Sequence, residues 1–270
     1  MVMQRIKVGL ALGSGGARGL AHIGVIKALE EHDIPIDMSV GSSAGALIGG
    51  VYLALGSIAE LENFVHSLTY KDLAWMFLDI GSPSGLIRGN KIEQYLERVC
   101  SGLTIESLSR PFAAVATDLA TGKAMPLRSG PLSRAIRASS SVPALIDAVE
   151  LGGQRLVDGG TSFPVPVPIV RDLGADFVIA VNLDVYPFIQ TGTASRPPTV
   201  SDMGRTAIEL LRFNLANMLC RDANCTIVPD VARVSSLNLM KFIRGEEIIQ
   251  KGYDAAMEIM PILKRDISRT

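Results

Sequence analysis

The chain has 270 residues, 48% hydrophobic and 20% charged, with 26 Lys and Arg against 27 Asp and Glu for a formal net charge of -1. That length suits one large domain or two small ones with a full core, and the apolar content excludes a disordered or fibrous chain. The charge balance removes any general attraction for nucleic acid or anionic lipid.

A mean hydropathy of +0.31 fits a parallel sheet covered by helices, whose strands are apolar on both sides. Three cysteines, Cys100, Cys220 and Cys225, point to a reducing compartment rather than a disulfide framework. No histidine lies near Cys220 and Cys225, which argues against a zinc site. The longest strongly apolar stretch, 46–55, falls well short of the roughly 20 residues of a membrane span. The apolar segment 8–12 is too short for a secretory signal, so the expected location is cytoplasmic.

In chain order, 5–12 reads as a buried strand, 13–19 as a glycine loop, and the residues to about 31 as an amphipathic helix. A second strand covers 36–40, followed by a turn at Gly41 and Ser42 and an apolar helix over 43–55. Helices are predicted at 58–68 and 91–99, and the glycines and proline between them make 70–90 irregular. Strands follow at 112–117, 123–127, 148–151 and 154–157, the last two joined by a Gly152-Gly153 hairpin turn. A further apolar strand covers 177–183, and 191–200 is the one plausible flexible loop. A helix over 201–219, a short strand near 226–228 and a helix over 246–260 complete the chain. The alternation predicts one α/β domain over 1–270, with a mainly parallel sheet and helices on both sides.

Two glycine-rich turns end the first two strands, where a doubly wound sheet forms its ligand crevice. Gly41-Ser42-Ser43-Ala44-Gly45 fits G-x-S-x-G between a strand and a helix, the setting of a nucleophile elbow. A plain turn with Ser43 as helix cap is the competing reading. The loop Gly15-Gly16-Ala17-Arg18-Gly19 departs from a dinucleotide fingerprint in its spacing and lacks an acidic partner after the second strand. The amides of Gly15 and Gly16 suit an oxyanion hole instead, and Arg18 either orients the loop or meets an anionic group.

The chain has three histidines, His22, His32 and His66, and none beyond them. A triad in the order Ser, acid, His is therefore unavailable, and a carboxylate remains as general base. Asp158, followed by Gly159-Gly160, is favoured. Asp118 and Asp184 also follow apolar strands, so position alone leaves all three open.

Taken together, GSGGARGLAHIGV at 13–25, GSSAG at 41–45 and VDGG at 157–160 resemble the patatin-like phospholipase family. The resemblance is closest to short bacterial members similar to the catalytic part of neuropathy-target-esterase proteins. RASSSVP at 137–143 resembles the block that precedes the aspartate in that family. The resemblance implies a three-layer α/β/α patatin-like fold with a mainly parallel central sheet. It implies Ser43 as nucleophile, Asp158 as base and an oxyanion hole around Gly15 and Gly16, with Gly41, Gly45, Gly159 and Gly160 as motif positions. It also implies hydrolysis of acyl esters in lipids without a metal or other cofactor.

Two departures stand out: Ser14 replaces a glycine seen in many members, and Ala144 to Asp147 differ from the usual segment. The segment 73–78, with the only tryptophan, is either an acyl entrance or an ordinary core helix. The apolar positions of 203–219 predict core packing, with a dimer face or a transient membrane contact as alternatives. A competing function is an adaptor that binds a bacterial regulatory protein, and a homo-oligomer is compatible with either reading.

Overall fold

Strand β1 (Val8–Leu12) is buried at every position, as its unbroken apolar run requires. Its side chains alternate, Leu10 and Leu12 entering one hydrophobic cluster and Ala11 another. The computed structural model describes residues 5–81, 85–185, 199–236 and 238–269.

From β1 the chain passes through a short 3-10 turn into α1 (Ala21–Glu31), then β2 (Met38–Ser42) and α2 (Ala44–Leu55). Three helices and a short strand follow: α3 (Ile58–Ser67), α4 (Tyr70–Phe77), β3 (Gly85–Ile87) and α5 (Asn90–Val99). The next stretch holds β4 (Phe112–Asp118), β5 (Ala124–Leu127), α6 (Leu132–Ser139), β6 (Ala144–Ile146), β7 (Val149–Leu151) and β8 (Gln154–Asp158). The last elements are α7 (Val167–Asp172), β9 (Phe177–Val181), α8 (Val200–Cys220), β10 (Cys225–Ile227) and α9 (Glu246–Arg269).

Among the described residues the main sheet has the order β10-β9-β1-β2-β4-β8-β7, with β5 also paired to β4. The run from β10 to β4 is parallel, while β5, β7 and β8 are antiparallel additions at one side. One face packs on α1, α2 and α9 through Ile23, Ile26, Val51 and Ile248. The other packs on α7 and α8 through Val167, Val170 and Ala216. The architecture is the three-layer one, with the sheet buried between helical layers. Helices α1 and α9 approach through a pair of glycines: a Cβ on Gly24 would overlap the Ile249 carbonyl, and one on Gly252 that of Ala21.

The structure departs from expectation in several places, among them the paired strands β3 and β6. The stretch expected to be irregular contains α4, set by a Thr69–Asp72 capping box. Helices α6 and α7 were not anticipated, and α9 continues through Pro261 because Met260 and Leu263 are buried on either side. Residues 191–198 of the expected loop lie outside the described residues, and Thr199 caps α8. Among the described residues no single helix is long and apolar enough to cross a membrane.

Candidate functional site

Ser43 stands between β2 and α2 with φ 54° and ψ −117°. A non-glycine residue at such a φ is uncommon and costs on the order of 1–3 kcal/mol, so surrounding contacts must impose it. The small residues of the motif make the turn feasible. A Cβ on Gly41 would overlap the Gly45 carbonyl, and one on Gly45 would overlap the carbonyl of Leu12 at the end of β1. The Ser43 amide donates to Ser139 Oγ at 2.9 Å, and Ser139 Oγ donates to the Val115 carbonyl at 2.5 Å. The bend is thereby tied to α6 and β4.

Strand β8 runs against β4, pairing Asp158 with Ala116, one residue beyond the Ser42–Val115 pair of β2 and β4. Asp158 therefore meets the end of β2 from the direction opposite to the parallel strands. Its amide donates to the Ser141 carbonyl at 2.9 Å. The block 137–143 thus holds both partners, Ser43 through Ser139 and Asp158 through Ser141. Neither contact was legible in the sequence, because each depends on where α6 comes to rest.

Ser43 Oγ donates a hydrogen bond to Asp158 Oδ2, and the Gly160 amide donates to Oδ1 at 2.8 Å. Gly159 is confined by the Val115 carbonyl, which a Cβ there would overlap. Burial pushes the Asp158 carboxyl above its ordinary value, against the Ser43 hydrogen bond, the Arg212 charge and the Gly160 amide. Of the three aspartates left open by position, Asp158 alone meets Ser43. Asp118 accepts from Thr121 Oγ1 and the Ala120 amide in its own turn, and Asp184 pairs with Arg212.

The glycine loop lies against the same site. Gly13 N donates to Val181 O, Ser14 N to Pro164 O, Ala17 N to Ser236 O and Arg18 N to Gly15 O, at 2.8–3.1 Å. The amides of Gly15 and Gly16 have no partner among the described residues, and both residues line the cavity that contains Ser43. Arg18 is buried, its Nε donating to Val234 O at 2.7 Å and its Nη1 to Leu183 O at 3.4 Å. Those bonds orient the loop. Gly19 lies against Ala44, whose Cβ leaves no room for a side chain there.

His22 fixes the loop from behind. Its Nε2 lies 2.7 Å from the Gly13 carbonyl, which can only accept, so Nε2 carries the proton. Complete burial lowers its pKa to about 4. The unfolded chain binds this proton below about pH 6.5 and the native state does not, so acidification removes stability over that window. Between about pH 7 and pH 5 the expected loss from this group is about 2 kcal/mol. Urea unfolding at the two pH values measures it, and His22→Asn should remove that part of the slope. His32 bonds its own helix end at Ala28 O, and His66 is exposed. Burial pushes the thiols of Cys220 and Cys225 up to about 11. Among the described residues no group of three His, Cys, Asp or Glu is placed to hold a metal ion.

Ser43 and Asp158 open into a cavity of about 850 Å³. Its walls are mainly apolar and come from α2, α3, α4 and α5, among them Val51, Leu61, Phe64, Met76 and Leu96. The 73–78 segment supplies Leu73, Met76 and Phe77 to this wall, while Trp75 packs against Lys91 and Arg98. Helix α8 meets the expectation of core packing only in part: Ala216 and Leu219 are buried, while Met203, Ile208, Leu210, Leu211 and Met218 are exposed. Ile208 and Leu211 also line the cavity, so the exposed face runs into its mouth.

The patatin-like phospholipase family model matches residues 10–171, more than half of the chain. An NTE family protein of Mycobacterium tuberculosis strain H37Rv is 43% identical over 178 residues, covering 66% of this chain and 49% of that protein. A lysophospholipase, NTE1, of Debaryomyces hansenii is 32% identical over 186 residues, covering 67% of this chain and 12% of its own length. The chain spans about half the length of the mycobacterial relatives it matches. Among solved structures, VipD from Legionella pneumophila shares the fold, with TM-score 0.61 and 14% identity over 96% of this chain and 67% of that one.

Proposed function

Since the chain belongs to the patatin-like phospholipase family, we propose that it is a serine hydrolase of lipid acyl esters, phospholipid or lysophospholipid, working through a Ser43–Asp158 dyad. The observation that carries this reading is the buried Ser43–Asp158 hydrogen bond on the wall of a large apolar cavity. The lysophospholipase among the relatives supports the substrate class.

Asp158 takes the hydroxyl proton as Ser43 Oγ attacks the ester carbonyl carbon. A carboxylate kept from water accepts a proton more readily than an exposed one, which is what burial gives Asp158. The oxyanion forms within reach of the free amides of Gly15 and Gly16, each such donor being worth on the order of 10²–10³ in rate. Collapse expels the alcohol, protonated by Asp158, and leaves an acyl-serine. Water then attacks the acyl carbon while Asp158 takes its proton, and that proton returns to Ser43 Oγ as the fatty acid departs. The exposed apolar face of α8 favours transient contact with the lipid aggregate from which the acyl chain enters.

The test combines a fluorophosphonate probe with a series of acyl esters, supplied as monomers and in phosphatidylcholine vesicles. The probe should modify Ser43. The specificity constant should climb about threefold to fourfold per added methylene while the cavity fills, from about 0.8 kcal/mol per buried CH₂. Met218→Glu, on the exposed face of α8 and outside the cavity lining, should depress turnover of vesicle-borne ester and spare the monomers. An unlabelled Ser43, or no dependence on acyl length, contradicts the reading.

A further inference from the structure

A second polar cluster, with Asp184 and Arg212 on the wall of the same cavity, takes no part in the cycle above. Arg212, on α8, sends Nη2 to Ser14 Oγ at 2.7 Å and to Asp184 Oδ1 and Oδ2 at 2.9 and 3.2 Å. Ser14 Oγ in turn donates to Asp184 Oδ2 at 3.1 Å. Each member is fixed from elsewhere: the Ser14 amide bonds Pro164 O, and the Asp184 amide bonds Asn182 Oδ1. Asn182 reaches Asn217 of α8 at 3.3 Å, tying the helix that carries Arg212 to the end of β9.

The cluster meets the dyad at Gly160. A Cβ there would lie 2.8 Å from Ser14 Cβ and Oγ and 2.9 Å from Asp158 Oδ1. Ser14 and the Asp158 carboxylate therefore border the same small space, and the guanidinium is the next group beyond Ser14. Ser14 stands where the family resemblance has glycine, and its hydroxyl is the link that a glycine lacks. Arg212 Nε is buried without a partner among the described residues, so the side chain is not placed to satisfy its own donors.

We propose that Arg212, held by Ser14 and Asp184, is a positioning residue that keeps the Asp158 carboxylate ionised and ready to accept the serine proton; this rests on the dyad reading above. The physical need is plain. A fully buried carboxyl drifts toward its neutral form, by up to about 3–5 units in the extreme, and a neutral Asp158 cannot serve as base. A fixed cation opposes that drift, and burial is indeed opposed by Arg212. Asp184 acts in the reverse sense on the carboxyl while anchoring the guanidinium. Arg18, which feels the charges of Asp184, Glu209 and Arg212, lines the same cavity, as does Glu209. All three contacts come from the one nitrogen Nη2, so a lysine ammonium brings the same charge to this cluster on a compact head.

The experiment records the specificity constant against pH for an uncharged monomeric ester, p-nitrophenyl butyrate, in the parent, Arg212→Gln and Arg212→Lys. An uncharged substrate removes any direct attraction between Arg212 and a head group. In Arg212→Gln the acid limb should move up by on the order of one pH unit, with the rate largely recovered on its alkaline side. Arg212→Lys should bring the limb back toward the parent. If the Gln variant does not accumulate folded, Arg212→Met must give the same upward shift. A uniform loss at every pH with the limb unmoved overturns the role. Failure of the dyad reading looks different, since the parent would then neither turn over the ester nor label at Ser43.

Discussion

Replacing Ser43 with alanine should lower acyl-ester turnover by about 10⁴-fold or more, to a residue of catalysis from binding and the oxyanion donors alone. The neighbouring Ser42 offers no substitute. It is fully buried on β2 and its Oγ has no hydrogen-bond partner among the described residues, whereas Ser43 borders the cavity. Folding should survive the change. The bend is imposed by the Gly41 and Gly45 packing and by the Ser43 amide on Ser139, none of which involves the hydroxyl. Initial rates on a long-chain ester, read beside a thermal unfolding curve, separate chemistry from stability. Undiminished turnover in a folded variant refutes Ser43 as nucleophile.

The parallel part of the sheet was legible because β1, β4 and β9 are largely apolar runs, while β2 (MSVGS) was found through the glycine-serine motif that ends it. Periodicity carries no direction, however, so nothing in the sequence announced that β8 lies antiparallel to β4. Helix α6 escaped notice for a chemical reason. Two arginines and two serines give it the look of a polar segment, yet Arg137 is buried and bonds the backbone carbonyls of Arg88, Gly89 and Asp147. Helix α7 follows closely spaced prolines, which read as breakers although Pro166 is a cap and Pro168 lies in its first turn. On α8 the apolar positions were visible but not how they divide, Ala216 and Leu219 turning inward and Ile208, Leu210, Leu211 and Met218 outward. The same division holds at the site. Ser43, the glycine loop and Asp158 each carry a local signature. Ser139, Ser141 and the Ser14–Asp184–Arg212 cluster act through contacts between distant segments, and no spacing rule reaches them.

Asp158→Asn separates the two things that burial does to this carboxylate. In the proposed cycle this removes the base, so turnover should fall by about 10²–10⁴-fold, and the acid limb expected from Asp158 should disappear with it. Geometry changes little, because the amide oxygen still accepts from Gly160 N and the amide nitrogen can donate to Ser43 Oγ. Stability should move the other way. A carboxyl whose folded pKa lies above its unfolded value is disfavoured in the native state once it ionises, so the parent gains stability from this group as pH falls through the interval between the two. That sign is opposite to the contribution of His22, whose lowered pKa removes stability on acidification. A neutral amide lifts the penalty on the charged form, so the variant should unfold at a higher temperature than the parent near pH 7, and the two curves should converge as the parent carboxyl is protonated. A variant both inactive and less stable at neutral pH would instead mean that Asp158 holds the fold together as an ion, and that the cost of its burial is repaid by contacts rather than reserved for catalysis.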